Sequence, residues 1–238
     1  MRPGPKTLAQ LNRLRSTWQQ GEHILCSGPT GSGKTALARH IVQLRHDNGG
    51  HVLVFVAKPN EDKTITSDYS DFYRWKSFKK RHPSWQNKIL LWPDTHRLKT
   101  SKDILAHQRE IFQEAFDEIN KQGKWTVLVD EGLYTVTPSF LGLGDDLAMS
   151  HAVGRSNGLT MVTNTQRPSH LPVILYGSAS HAFIGRTREL ADQKRLAELG
   201  SREGAKVLGQ RISNLDRHEF LWVPVAPDWP AEVVNLKR

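Results

Sequence analysis

Residues 28–35, Gly28-Pro29-Thr30-Gly31-Ser32-Gly33-Lys34-Thr35, fill the pattern G-x-x-x-x-G-K-[ST]. The pattern has a direct chemical reading. Its glycines let backbone N–H groups turn inward around phosphate oxygens. Lys34 would reach the β- and γ-phosphates, and the Thr35 hydroxyl would ligate Mg²⁺. The cofactors implied are ATP and Mg²⁺. No Asn-Lys-x-Asp motif for reading a guanine base occurs. The competing reading is a glycine-rich turn without a ligand, and it leaves the flanking pattern unexplained. His23-Ile24-Leu25-Cys26-Ser27 reads as a strand into the loop, and residues 35–42 read as a helix out of it. The amino-terminal dipole of such a helix favours an anion.

A second constellation follows about 95 residues later. The apolar run 125–129 leads into Asp130-Glu131. Asp130 would hold the Mg²⁺ shell, and Glu131 would orient and polarise an attacking water. Without the loop upstream, the same two acids could cap a helix after a buried strand. The third element is Thr163-Asn164-Thr165-Gln166-Arg167-Pro168. A polar residue at the end of a strand beside the acidic one can touch both γ-phosphate and water, and Gln166 has that place. A strand-end turn closed by Pro168 is the alternative.

These groups need a scaffold that brings residues 28–35, 130–131 and 166 to one edge. Apolar runs at 51–57, 88–92, 125–129, 159–166 and 180–186 read as buried strands. Between them, helical spacing appears at 101–121, 145–156, 188–199 and 203–210, with a helical turn near 171–176. Residues 58–87 carry only a weak pattern. Strands alternating with helices predict an α/β fold: a mostly parallel central sheet covered by helices on both faces. Residues 219–225 are expected to close the sheet as its edge strand, where Pro224 is tolerated. The expected organisation is one ATPase domain over 1–238. It has an N-terminal helical extension (1–20, with Leu8, Leu11, Leu14 and Trp18 at helical spacing), a core at 21–225 and a tail at 226–238.

The bulk numbers bound the class. Of 238 residues, 37% are hydrophobic and 24% charged, as in an ordinary globular chain. No apolar run approaches the roughly 20 residues of a membrane span, and Met1–Lys6 has no signal-peptide character. The single cysteine, Cys26, excludes an internal disulfide. A cytoplasmic location is the expectation. The net charge of +9 favours polyanionic partners, nucleic acid first, with a merely soluble basic surface as the alternative.

The stretch 154–169, Gly-Arg-Ser-Asn-Gly-Leu-Thr-Met-Val-Thr-Asn-Thr-Gln-Arg-Pro-Ser, resembles the motif A-R-x-x-G-[hydrophobic]…A-T-Q-R-P-S of the FtsK–HerA superfamily of DNA-pumping ATPases. That superfamily includes chromosome translocases, end-resection motors, conjugative coupling ATPases and viral genome-packaging ATPases. The likeness follows motif order over residues ~23–225, and Ser180–Arg186 resembles the family's next strand. The resemblance implies a RecA-like P-loop NTPase working as a pentameric or hexameric ring. Lys34 and Thr35 would bind phosphate and Mg²⁺, Asp130 and Glu131 would be the Walker B pair, and Gln166 the sensor. Arg155 falls at the family's arginine finger, which reaches into a neighbouring subunit; Arg186 and then Arg188 are the runners-up. For Arg155 a helix C-terminal cation beside Gly158 is the plainer reading.

Two departures stand out. The family's Ala-Thr-Gln is Asn164-Thr165-Gln166 here, and Ala57-Lys58-Pro59-Asn60 replaces Asp-Pro-Lys. The short chain without an appended module fits a viral or phage genome-packaging ATPase that moves double-stranded DNA, with capsid vertex proteins as possible partners. The absence of an evident nuclease domain suggests unit-length genomes. A host or plasmid DNA motor is the first alternative, and a small-molecule phosphotransferase or ATP-binding assembly factor the second. Candidate DNA contacts are Arg74, Lys76, Lys79, Lys80 and Arg81, interleaved with aromatics at 73–81. A solvated basic helix is the alternative there. The loop 135–144 is a candidate lever between hydrolysis and motion, with a simple covering loop as the alternative.

Overall fold

A computed structural model describes residues 18–59, 62–76, 87–197, 199, 204–224 and 231–236. The expected N-terminal helix at 6–20 therefore lies outside the described residues except at its end, where Trp18 is buried. The chain runs β1 (His23–Ser27), α1 (Lys34–Asp47), β2 (His51–Phe55), α2 (Lys63–Asp68), β3 (Tyr73–Trp75) and β4 (Lys88–Leu91). It continues through α3 (Ser101–Gln122), β5 (Trp125–Val129), α4 (Gly132–Val136), α5 (Gly144–Val153) and β6 (Thr160–Thr165). A 3₁₀ turn (Pro168–His170), α6 (Val173–Gly177), β7 (Ala179–Gly185), α7 (Leu190–Ala197), α8 (Ala205–Ser213), β8 (Glu219–Pro224) and β9 (Glu232–Asn235) complete it.

The nine described strands form one sheet in the order β3-β4-β2-β5-β6-β1-β7-β8-β9. Pairing is parallel from β3 to β7 and antiparallel only across β7–β8 and β8–β9. This is the RecA-like P-loop arrangement. Because a strand sends successive side chains to opposite faces, each central strand divides its residues between two cores. Ile24, Cys26, Leu128, Val162 and Phe183 pack with Leu37, Ala38 and Ile41 of α1. The intervening Val127, Val129 and Met161 pack with Ile111, Phe112, Ala115 and Phe116 of α3. On that second face Leu25, Ala182 and Ile184 meet Leu196, Leu208 and Ile212 of α7 and α8. Helices therefore cover both faces. No helix among the described residues is long and apolar enough to cross a membrane.

Three local readings differ from expectation. Residues 219–224 are not the sheet edge, because β9 pairs outside them: Phe220 opposes Val234 and Leu221 opposes Val233. Val233 and Val234 are an apolar pair in a stretch too short for its alternation to be legible alone, and the exposed edge of β8 supplies the hydrogen bonds that make it a strand. Pro224 ends β8, where a missing N–H costs least. The weak pattern at 58–87 hides a six-residue helix, capped by the Asp62 carboxylate on the Thr64 and Ile65 N–H groups, and the edge strand β3. Finally, the first two residues of the candidate lever at 135–144 belong to a helical turn, so it begins inside α4.

Candidate functional site

The glycine loop closes the carboxyl end of β1, between β6 and β7. Gly31 and Gly33 take left-handed φ values of 75° and 97°, a region that a β-carbon disfavours. A Cβ on Gly33 would also come within 3.1 Å of Leu236 and 3.2 Å of His218. The β8–β9 side of the sheet thus packs against the loop, and His218 Nδ1 donates to the Ser32 carbonyl at 3.1 Å. On the other side the Gly28 N–H donates to the Thr165 carbonyl at 3.2 Å.

Lys34 is buried, and its Nζ donates to the Pro29 carbonyl at 3.1 Å. Desolvation lowers its pKa, opposed by the Glu131 and Asp130 carboxylates. Ser32 Oγ is buried with no protein partner. A cationic side chain bent over its own loop and an unpaired hydroxyl inside that loop are what a phosphate would satisfy.

The acidic pair stands beside this loop. Thr35 Oγ1 donates to Asp130 Oδ1 at 3.1 Å, and Asn164 Nδ2 donates to the same oxygen at 2.6 Å. The helix-cap reading fails for Glu131: it occupies the N-cap position of α4 yet makes no side-chain cap hydrogen bond. Desolvation, then the neighbouring Asp130 charge, push the Glu131 carboxyl above the usual carboxylate range, with Lys34 and Lys58 pulling the other way. A raised pKa in a carboxyl near a phosphate loop suits a proton acceptor. At the strand end next door, Thr30 Oγ1 in the loop donates to Gln166 Oε1 at 2.9 Å. Gln166 is therefore in contact with the loop across 136 residues of sequence. The donor set at the Thr35–Asp130 corner is all oxygen, as Mg²⁺ prefers. Among the described residues no group of three or more His, Cys, Asp or Glu could hold a metal.

The fold brings Lys34, Thr35, Asp130, Glu131 and Gln166 to one edge, and it leaves the arginines divided. Arg155 is exposed in the turn after α5, at the amino end of β6. The six residues of β6 separate it from Gln166 by about 20 Å, so it cannot serve the site of its own chain. Arg186 and Arg188, with Arg217, instead line a cleft of ≈ 680 Å³ that also includes Thr30 and Gln166. Arg167 is held by the buried Asp192 at 3.1 Å. The basic stretch at 73–81 does not begin as a helix. Arg74 lies in edge strand β3 with its guanidinium 4.4 Å from the Trp92 ring centroid, and Lys76 pairs with Asp94 at 2.8 Å. Lys79, Lys80 and Arg81 lie outside the described residues.

Sequence reasoning missed two contributors. By its sequence Asn164 stands out only as a departure from a motif, although strand alternation carries a usable signal. Leu128 and Val162 share the α1 face, so Asp130 and Asn164, two residues on, face the same way. Gly132 is the second. A Cβ there would meet the Asn164 carbonyl oxygen and Thr163 Cγ2, both at 2.8 Å. Only glycine lets the chain turn so tightly against β6 just after the acids.

A family model described as ABC transporter matches residues 11–137, more than half of the chain. The matched stretch runs from before the glycine loop to just beyond the acidic pair. No curated protein matches the sequence. Among solved structures, the genome-packaging NTPase B204 of Sulfolobus turreted icosahedral virus 2, in complex with AMPPCP, superposes with a TM-score of 0.65 at 15% identity, covering 92% of this chain and 100% of that one. VirB4 of Thermoanaerobacter pseudethanolicus gives 0.62 at 8% identity over 91% and 89%. The plasmid coupling protein TrwB, in complex with ADP and Mg²⁺, gives 0.59 at 12% identity over 98% and 93%. At these identities the likeness is one of fold.

Proposed function

The chain belongs to the P-loop ATPase family that the ABC transporter model describes, and from that premise we propose that it is an ATP-driven translocase of double-stranded DNA that packages a viral genome. The observation that carries this reading is the assembled edge of Lys34, Thr35, Asp130, Glu131 and Gln166 in a chain of the same extent as a packaging NTPase. The family match covers the nucleotide-binding half, which P-loop motors of many kinds share. The fold likeness extends over 92–98% of the chain, and its members include DNA-packaging and plasmid-coupling proteins.

In this reading the loop N–H groups and Lys34 bind the polyphosphate, and Thr35 and Asp130 hold Mg²⁺. The bound nucleotide supplies the phosphoanhydride whose cleavage releases energy. Glu131 accepts the proton of the attacking water, and Gln166, tied to loop residue Thr30, senses whether the third phosphate is there. Arg155 completes the site of a neighbouring copy in a pentameric or hexameric ring. That assignment is supported by its exposure and by its distance from its own site. The +9 charge fits a polyanionic cargo. Work in a host cytoplasm with capsid vertex proteins belongs to the same proposal. The second reading is a plasmid DNA motor, favoured by the coupling-protein fold likeness.

The test is the ATPase rate with and without double-stranded DNA for wild type, Arg155→Ala and Arg186→Ala. DNA should stimulate the wild type, and Arg155→Ala should cost ~10³–10⁵ in rate. Mixing Arg155→Ala with Glu131→Gln should restore part of the activity, because in mixed rings some interfaces pair the half-site each variant keeps. Absence of DNA stimulation together with a monomer in solution would sink the motor. A cost confined to Arg186→Ala, not rescued by mixing, would transfer the finger's role to the chain's own cleft.

A further inference from the structure

On the ATPase reading above, we propose that Asn164 is a positioning residue for the cation corner, tying the Asp130 carboxylate to the sheet. Asn164 lies in the middle of the sheet, opposite Cys26 of β1, and is 0% exposed. Burying a primary amide there is costly unless its groups are paired. Its Nδ2 donates to Asp130 Oδ1, while its Oδ1 is buried without a protein partner. The fold therefore carries a half-satisfied amide, facing the one carboxylate that the P-loop threonine also touches.

The geometry says what that arrangement does. Two donors, Thr35 Oγ1 at 3.1 Å and Asn164 Nδ2 at 2.6 Å, converge on Asp130 Oδ1. Oδ2 is left with only a marginal contact to Thr35 at 3.5 Å. A carboxylate pinned through one oxygen cannot rotate freely, and the other oxygen keeps its lone pairs for a ligand. The two donors differ in attachment. Thr35 sits on the helix that carries the phosphate loop, whereas Asn164 is anchored in β6 next to the strand that delivers Asp130. Asn164 thus fixes the acid to the sheet independently of the loop. The superfamily motif that this segment resembles has alanine at the position, so the amide is a feature of this chain.

The experiment uses the full chain and Asn164→Ala, with Mn²⁺ as the probe, read by electron paramagnetic resonance in the presence of a non-hydrolysable ATP analogue. Mn²⁺ affinity should fall ~10–100-fold, the range for lost outer-shell partners. Affinity for the analogue alone, measured in chelator, should stay within about twofold. In an Asp130→Asn background the same substitution should cost no further Mn²⁺ affinity. If Asn164→Ala fails to fold, Asn164→Ser keeps a polar group too short to reach Asp130 and should show the same Mn²⁺ loss. Mn²⁺ affinity within about twofold of wild type, or an equal loss in the Asp130→Asn background, would overturn the proposal while leaving the ATPase reading intact. A wild type that binds neither analogue nor Mn²⁺ would overturn both.

Discussion

Glu131→Gln removes one charge and one proton acceptor while keeping the shape of the side chain. In the proposed role of base for the attacking water, Glu131 should contribute ~10²–10⁴ in kcat, or about 3–5 kcal/mol of barrier. The structure adds a second, opposite expectation. Desolvation and Asp130 raise the folded-state pKa of Glu131. A carboxyl so raised favours the fold while protonated and loses that contribution as pH climbs through its folded value. At neutral pH the ionised side chain is therefore a net burden on the fold, and the amide relieves it. Glu131 also makes no side-chain cap bond that the substitution could break. The variant should thus melt no lower than wild type, bind nucleotide at least as well, and turn over ~10²–10⁴ times more slowly. Urea melts of the apoprotein, equilibrium binding of a fluorescent nucleotide and steady-state phosphate release measure the three quantities. A kcat within tenfold of wild type refutes the base assignment. A lowered melting midpoint refutes the claim that the ionised carboxyl burdens the fold. In the wild type, the acid limb of the pH–rate profile should lie above the ordinary carboxylate range, since Glu131 must be ionised to act.

Gly132→Ala should destabilise by ~1–3 kcal/mol in urea titration, because its Cβ would press to 2.8 Å on the Asn164 carbonyl and Thr163 Cγ2; an unchanged midpoint would show that β6 yields easily. The buried histidines make stability fall with acid. His23 Nδ1 accepts from the Met161 N–H at 3.0 Å and Nε2 donates to the His151 carbonyl at 3.0 Å, while His151 contacts the Ser178 and Thr163 hydroxyls. Burial holds both pKa values below 6.5. The unfolded chain thus takes up protons first, so their contribution is complete above pH 6.5 and lost below it. The slope is at most about 1.4 kcal/mol per pH unit for each histidine. Urea midpoints between pH 7.5 and 5.5 should track this, and His151→Gln should flatten the trend.

The phosphate loop, the acid pair and the alternating strands and helices are legible in the chain because each is local. A glycine-rich loop needs only its neighbours to turn inward, and a parallel strand buried on both faces must be apolar throughout. Gln166 is legible as a polar residue at a strand end, though its contact with the loop is not, since that joins it to Thr30 across 136 residues. Other features depend on pairing between distant segments. The edge strand β9 exists because β8 offers it hydrogen bonds. The basic run at 73–81 reads as a free cationic surface until β3 pairs with β4, sets Arg74 over Trp92 and brings Lys76 to Asp94. The spatial relation of Arg155 to the phosphate loop is likewise a property of the sheet. Residue types and short spacings determine which chemistry this chain can attempt. Strand order and register, which rest on hydrogen bonds between remote segments, decide which atoms meet to perform it.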